Sequence, residues 1–480
     1  MSKQLFQFNE ATITNIQQSM ESGELTALGL TKMYLEQIAK YNSTGPKINA
    51  VIEINPDALH IAEALDVERL QSGKRGPLHG VPILIKDNID SGDKMHTTAG
   101  SVSLADHYAS EDAFVTERLR VAGAIILGKT NLTEWANFMS QGMPNGYSSR
   151  GGQVLNPYGP GDFDVGGSSS GSGAGVAANF AAGAIGTETD GSILSPASSN
   201  SLVGIKPTVG LTSRTGIIPI AHSQDTAGPM TRTVEDAAIL LGALSGKDAK
   251  DPATAVNADR ITDYIPFLNK HGLENKRIGV PRNYLSELDE TELTLVNQAL
   301  EDMEKLGTTI VDPIYLPNDL PDSSVLYHEF KNGVNAYLGK LPVNSTVRSL
   351  RDVINFNQSN ANEALEYGQT TLIKSETKSG ALVEEEYITD RLMDLEFSQD
   401  KMQEVMREQK LDALFFPNFY GSSIAAKAGY PSITVPAGYT ETGKPVGITF
   451  TGLAFSEAQL IELAYAYEQA TNHRKAPVLE

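Results

Sequence analysis

Two features of this 480-residue chain carry residue types that do chemistry. The first is the stretch 166–207, which holds two clusters of small residues. Gly166, Gly167, Ser168, Ser169, Ser170 and Gly171 form one, and Asp190, Gly191 and Ser192 the other. Glycine lets a backbone adopt positive φ and approach another group closely, and hydroxyls beside such glycines sit within reach of a substrate. A bare Gly/Ser string is more often a flexible linker. Here an Ala-rich run (174–182) and the apolar Val203-Gly204-Ile205 follow directly, and a linker has no place inside core-forming sequence.

The second feature is Lys86, which ends the run Gly80-Val81-Pro82-Ile83-Leu84-Ile85. Burial disfavours an ammonium and lowers its pKa, and a neutral buried lysine is a competent general base. Asp87 alternates to the opposite face of a strand and is not an automatic partner. A strand-end lysine that simply reaches water is an equally good reading of the same pattern.

Other chemistries find less support. The eight histidines form no HExxH and no close ligand pair, so no metal site is expected. Gly171, Gly173 and Gly175 are spaced GxGxG with no following GK[ST], a weak phosphate signal. Ser375 to Lys378 matches SxxK, but the overlapping Lys378-Ser379-Gly380 cannot also supply the separate KTG element. Gly167-Ser168-Ser169-Ser170-Gly171 fits GxSxG, the nucleophile elbow of α/β-hydrolases, with Ser169 as nucleophile and His222, His271, His328 or His473 as base. That elbow must follow a buried strand, whereas 157–164 is rich in Pro and Gly. It stands as an esterase-type alternative.

The elements that must position these residues alternate between helix and strand. Leu30, Tyr34 and Ile38 put an apolar stripe on a helix over 28–41, after a first helix over 12–20. Strands are expected over 48–54, 81–86, 124–127, 277–280, 308–314, 413–416, 432–435 and 447–450. Helices are expected over 56–70, 117–121, 174–182, 233–244, 290–306, 384–409 and 456–470. Residues 145–160 read as loop, 246–275 turn polar without a clear period, and 317–380 are ambiguous with helical parts. The class is α/β with a largely buried sheet, and the chain is read as one domain over 1–480 with variable segments near 246–275 and 317–380.

Composition bounds the partners. A formal charge of −21 disfavours nucleic acid and anionic membrane surfaces. The absence of cysteine removes disulfides, thiolate ligands and cysteine nucleophiles together, and suits a cytoplasmic home. The opening MSKQLFQFNE lacks the apolar run of a secretory signal, and no segment approaches the ~20 apolar residues of a membrane span.

With these residues in view, the chain resembles the amidase signature hydrolases. The resemblance runs through Gly80-Val81-Pro82, Lys86-Asp87-Asn88, Gly128-Lys129-Thr130-Asn131, Gly167 to Ser172 and Gly186 to Ile193. It continues through Gly204-Ile205-Lys206-Pro207-Thr208, Asp225 to Met230 and Ala428-Gly429-Tyr430-Pro431, in the family's order over most of the chain. It implies a mixed, twisted sheet covered by helices in one compact domain. It also implies a Ser–cis-Ser–Lys triad, with Lys86 as base, Ser168 as the cis-serine after Gly167, and Ser192 as nucleophile. Backbone N–H groups around Thr189, Asp190, Gly191 and Ser192 would form the oxyanion hole. No metal or cofactor is required.

Many family members read T-D-T-G-G-S where this chain has Thr187-Glu188-Thr189-Asp190-Gly191-Ser192. Asp190, Ser170 and the run 209–214 resemble bacterial peptide amidases, which remove the C-terminal carboxamide of peptides. The expected substrate is therefore a small-molecule or short-peptide amide, handled by a monomer or homodimer. Asp190 and the 145–160 loop are expected to wall the leaving-group side, although a role for Asp190 in the turn itself fits equally well. The amidase subunit of a tRNA-dependent amidotransferase is a second reading. Its nucleophile is typically followed by Ile-Arg, whereas Ile193-Leu194 stands here.

Overall fold

The computed structural model describes residues 6–256, 260–320 and 323–479. The strands in chain order are β1 (Val51–Ile54), β2 (Pro82–Lys86), β3 (Ile125–Thr130), β4 (Tyr147–Ser148) and β5 (Gly152–Gln153). There follow β6 (Gly183–Glu188), β7 (Val203–Lys206), β8 (Thr226–Thr231), β9 (Arg277–Pro281) and β10 (Thr309–Ile314). Last come β11 (Ala413–Pro417), β12 (Ser432–Tyr439) and β13 (Pro445–Thr451). Apart from the small β4–β5 hairpin, they form one 11-stranded sheet in the order β1-β3-β2-β6-β8-β7-β12-β13-β11-β9-β10.

The sheet is mixed. β3, β2 and β6 run parallel to one another, and so do β11, β9 and β10; the strands between these groups are antiparallel. β2 and β6 are buried along their whole length, as strands covered on both faces must be. Because they run in the same direction, Lys86 and Glu188 emerge at the same edge of the sheet. Ligands of parallel α/β sheets lie outside the carboxyl ends of such strands.

Helices cover both faces. A Cβ built on Gly183 would meet Leu240 of the helix Val234–Leu244, and one on Gly186 would meet Ser169. Strand residues three apart point to opposite faces, so the Ser169 segment and that helix lie on opposite sides of β6. One apolar core sits between β1, β2, β3, β6 and the N-terminal helices, and a second around β9, β11, β12 and β13. A third, smaller cluster joins Trp135, Phe138 and Met139 to Phe330, Val334, Leu350 and Leu372. Its helices, Val325–Leu338, Leu350–Ser359 and Thr370–Glu376, make the ambiguous 317–380 stretch a helical cap beside the site.

Several expectations shift. The helix after the first serine cluster spans Ser170–Ala177, not 174–182, and Ala178 to Ala182 turn back into β6. Its three glycines are poor helix formers. A Cβ on Gly171, however, would lie 2.3 Å from the Ala50 carbonyl oxygen and 2.4 Å from that of Asn131, so tight packing against this backbone outweighs propensity. β8 is absent from the expected strands. Pro229 and Gly228 within it read as loop, yet every one of its residues is buried between β6 and β7. The segment 384–409 is helical over Glu385–Leu395 and Lys401–Glu408, joined by a π-helical turn at Glu396–Asp400.

Candidate active site

Lys86 closes β2 and is fully buried. Its Nζ donates to Ser168 Oγ at 2.8 Å, to Thr187 Oγ1 at 2.9 Å and to the Thr187 carbonyl at 3.2 Å. All three partners are neutral. Burial pushes the Lys86 pKa down to about 7, and the more distant carboxylates of Glu188 and Asp225 oppose this only in part. Asp87 does face away: its carboxylate accepts from Thr98 Oγ1 and the Gly100 N–H, with Arg150 3.7 Å off.

Ser168 is fully buried, and the Gly167–Ser168 peptide is cis. Its carbonyl accepts the Thr133 N–H at 3.0 Å. The next residue, Ser169, is equally buried, and its hydroxyl is taken up by Thr187. It donates to the Thr187 carbonyl at 3.1 Å and accepts the Thr187 N–H at 3.3 Å. This overturns the elbow alternative at Ser169. The serine follows loop rather than strand, and it serves as a brace for the residue that holds Lys86. The histidines are engaged elsewhere: His328 with Glu386, His271 with Glu274, and His473 against the Tyr467 ring. His222 lines a narrow pocket formed by Asn88, Thr187, Thr189, Ile218 and Asp225.

Ser192 is 7% exposed and stands on the loop that follows β6. Its carbonyl accepts the Ser169 N–H at 3.1 Å, which ties the two serine-bearing segments side by side. The loop is pinned at every other position. Glu188 Oε2 accepts the N–H groups of Ile193 at 2.7 Å and Leu194 at 3.0 Å. Thr189 Oγ1 donates to Asp225 at 2.5 Å, and its carbonyl accepts from Gln224 at 3.2 Å. The two carboxylate oxygens of Asp190 accept from Ser422 and Ser423, each at 2.8 Å. Asp190 is thus held against the helix Ser422–Ala428, a partner that no sequence pattern names. Gly191 takes φ +76°, a conformation that strains any side chain-bearing residue, and its carbonyl accepts the Ser195 N–H at 2.7 Å. Among the described residues, no hydrogen bond within the chain takes the N–H of Asp190, Gly191 or Ser192. Three consecutive N–H groups free to donate next to a hydroxyl can bind an oxyanion.

Sequence reasoning gives no role to Asn88, Thr187, Glu188 or Lys206. Asn88 Nδ2 donates to Thr187 Oγ1 at 3.0 Å, so the lysine, the threonine and the asparagine form a chain. Lys206 ends β7 fully buried, donates to the Tyr430 carbonyl, and is the cation nearest Glu188 in effect. The signal that marks Lys86, an apolar strand closing on lysine, marks Lys206 as well. Among the described residues, no group of three or more His, Asp or Glu side chains could hold a metal ion.

A hydroxyl bonded to a lysine of depressed pKa, on a segment tied alongside a second hydroxyl-bearing loop with free N–H groups, is equipment for acyl transfer from an amide or ester. The amidase family model matches residues 29–423, and the chain belongs to the amidase family. It is an amidase, a hydrolase acting on carbon–nitrogen bonds. Among the comparisons are two that extend over nearly the whole chain. A probable amidase of Arabidopsis thaliana is 45% identical over 98% of this chain and 92% of its own. The peptide amidase of Stenotrophomonas maltophilia has the same fold, with a TM-score of 0.93 and 44% identity over 99% of this chain and 100% of its own. The likeness to a glutamyl-tRNA(Gln) amidotransferase subunit of Methylobacillus flagellatus is shorter: 41% identity over 64% of this chain and 60% of that protein. Among the described residues, no helix is long and apolar enough to cross a membrane.

Proposed function

We propose that this amidase removes the C-terminal carboxamide of short peptides by a Ser192–Ser168–Lys86 relay. The observation that carries the relay is the 2.8 Å bond between Ser168 Oγ and a fully buried Lys86 whose bonded partners include no carboxylate. With its pKa near 7, Lys86 spends a large fraction of its time as a neutral amine with a free electron pair. That amine accepts the Ser168 proton as Ser168 accepts the Ser192 proton, and Ser192 Oγ bonds to the amide carbon. The carbonyl oxygen becomes an oxyanion within reach of the Asp190, Gly191 and Ser192 N–H groups. The proton held at Lys86 returns through Ser168 to the amide nitrogen, the carbon–nitrogen bond breaks, and ammonia leaves. Water then attacks the acyl-enzyme by the same route and releases the carboxylate.

The choice of a peptide amide is supported by the whole-chain likeness to a peptide amidase. The test is ammonia release measured over peptide amides, amino-acid amides, aryl amides and fatty amides, with products identified by mass spectrometry. Loss of the terminal amide alone from a peptide amide is the expected result. Internal fragments, or turnover confined to aryl or fatty amides, refute the assignment.

A further inference from the structure

A cavity of about 220 Å³ is walled by residues that pack against both serine-bearing segments. Asn145, Asp164, Ser195, Asn418, Phe419 and Lys444 contribute to its wall. On one side, a Cβ on Gly167 would fall 2.5 Å from Asn145 Oδ1, so Asn145 lies directly against the residue before Ser168. On the other, a Cβ on Gly191 would fall 3.4 Å from the Phe419 ring, and Ser195 bonds the Gly191 carbonyl. The cavity wall therefore packs against the neighbours of both candidate serines, Gly167 and Gly191. The cavity is smaller than the roughly 300–1,000 Å³ of a drug-sized site, so it suits a fragment the size of an amino-acid residue.

The charges in its wall do not cancel. Lys444 Nζ is paired with Glu292 Oε1 at 2.8 Å, and Glu292 also lines the cavity. Asp164 has only neutral donors. Asn145 Nδ2 reaches its two oxygens at 3.1 and 3.2 Å, and the Gly166 N–H donates to Oδ1 at 2.6 Å. A carboxylate oxygen accepts about two hydrogen bonds, so Oδ2, with one, keeps capacity for a further donor. The wall thus carries one negative charge without a partner, on a protein whose formal charge of −21 already draws cations toward it.

We propose that this cavity binds the free α-ammonium of a short peptide amide, with Asp164 as its counter-charge. The proposal rests on the peptide-amide reading above. A peptide whose C-terminus is amidated has lost its terminal carboxylate, so its α-ammonium is the one charge every such peptide shares. A site that reads this group accepts any side chain yet prefers short, unblocked peptides. Asp164 is then a specificity-determining residue with no part in bond breaking.

The test is the ratio of kcat/KM for a dipeptide amide to that of its N-acetyl counterpart, followed by ammonia release. The wild-type ratio should exceed one. Asp164→Asn, which keeps an acceptor for the Gly166 N–H, should lower the ratio about twofold to fivefold, chiefly through KM, as loss of an exposed charge-assisted pair does. Lys444→Met removes the cation paired with Glu292 and should raise the ratio. A ratio that neither variant moves overturns the subsite, and so does an equal loss on both substrates, which would assign Asp164 only to holding Gly166. Turnover of aryl amides with neither peptide amide accepted overturns the peptide-amide reading and the subsite together. Turnover of both peptide amides at equal rates overturns the subsite alone.

Discussion

Replacing Asn88 with Asp places a negative charge one hydroxyl away from the candidate base without changing side-chain shape. The legs Lys86 Nζ to Thr187 Oγ1 and Thr187 Oγ1 to Asn88 Nδ2 are 2.9 and 3.0 Å. Meeting at a tetrahedral oxygen, they put the new carboxylate roughly 5 Å from Nζ, where an effective dielectric of ~20 gives an attraction of about 3 kcal/mol. At 1.36 kcal/mol per pH unit that raises the lysine pKa by about two units. Thr187 can turn its hydroxyl toward the carboxylate and still accept from Lys86, so the local bonds survive. The sign follows from the role. The base works neutral, the wild-type rate should rise with pH through about 7 and level off above it, and the variant should rise about two units later. At pH 7 the variant should therefore be slower by roughly one to two orders of magnitude and should recover near pH 10. The assay is kcat/KM against pH by ammonia release, with circular dichroism to confirm folding. An acid limb that stays near pH 7, or a loss in a folded variant that alkaline pH does not restore, refutes Lys86 as the titrating base.

Ser192→Ala should abolish turnover in a folded protein, and Lys86→Ala should cost ~10² to 10⁴ in kcat or more; an active Ser192→Ala variant would sink the relay. Ser169→Ala should slow the enzyme less than Ser168→Ala and should move the acid limb of the pH profile, because Ser169 acts only through Thr187; an effect confined to KM speaks against that. Glu188→Ala leaves the Ile193 and Leu194 N–H groups without their acceptor and should lower stability by about 2–5 kcal/mol as read by denaturant unfolding, with Glu188→Gln milder. Releasing Asp190 with the double change Ser422→Ala and Ser423→Ala should lower kcat through a loosened loop and leave unfolding nearly unchanged; an unaffected kcat refutes Asp190 as an anchor.

The α/β class, the helical and strand character of most segments, and the family were legible in the sequence because they rest on local periodicity and on short motifs that survive in linear order. Lys86, Ser168 and Ser192 could be singled out as candidates from the same motifs. What each buried group does could not be read, because partners come from far along the chain. Three strands close on or next to a lysine: Lys86, Lys129 and Lys206 are all fully buried and look alike as sequence. Folding alone separates them. Lys129 is placed against the Ile89 carbonyl and Thr97, where burial lowers its pKa and the carboxylates of Asp87 and Asp90 oppose that shift. Lys206 meets the Tyr430 carbonyl, 224 residues on. Lys86 alone of the three meets a serine hydroxyl, because β2 and β6 pair in parallel and the segment before the Ser170–Ala177 helix crosses their shared edge. Likewise the bond from Asp190 to Ser422 joins positions 232 residues apart, a distance no local pattern encodes. Types and order of residues are a property of the chain, whereas the solvation and charge around each one exist only once strands from distant segments lie side by side.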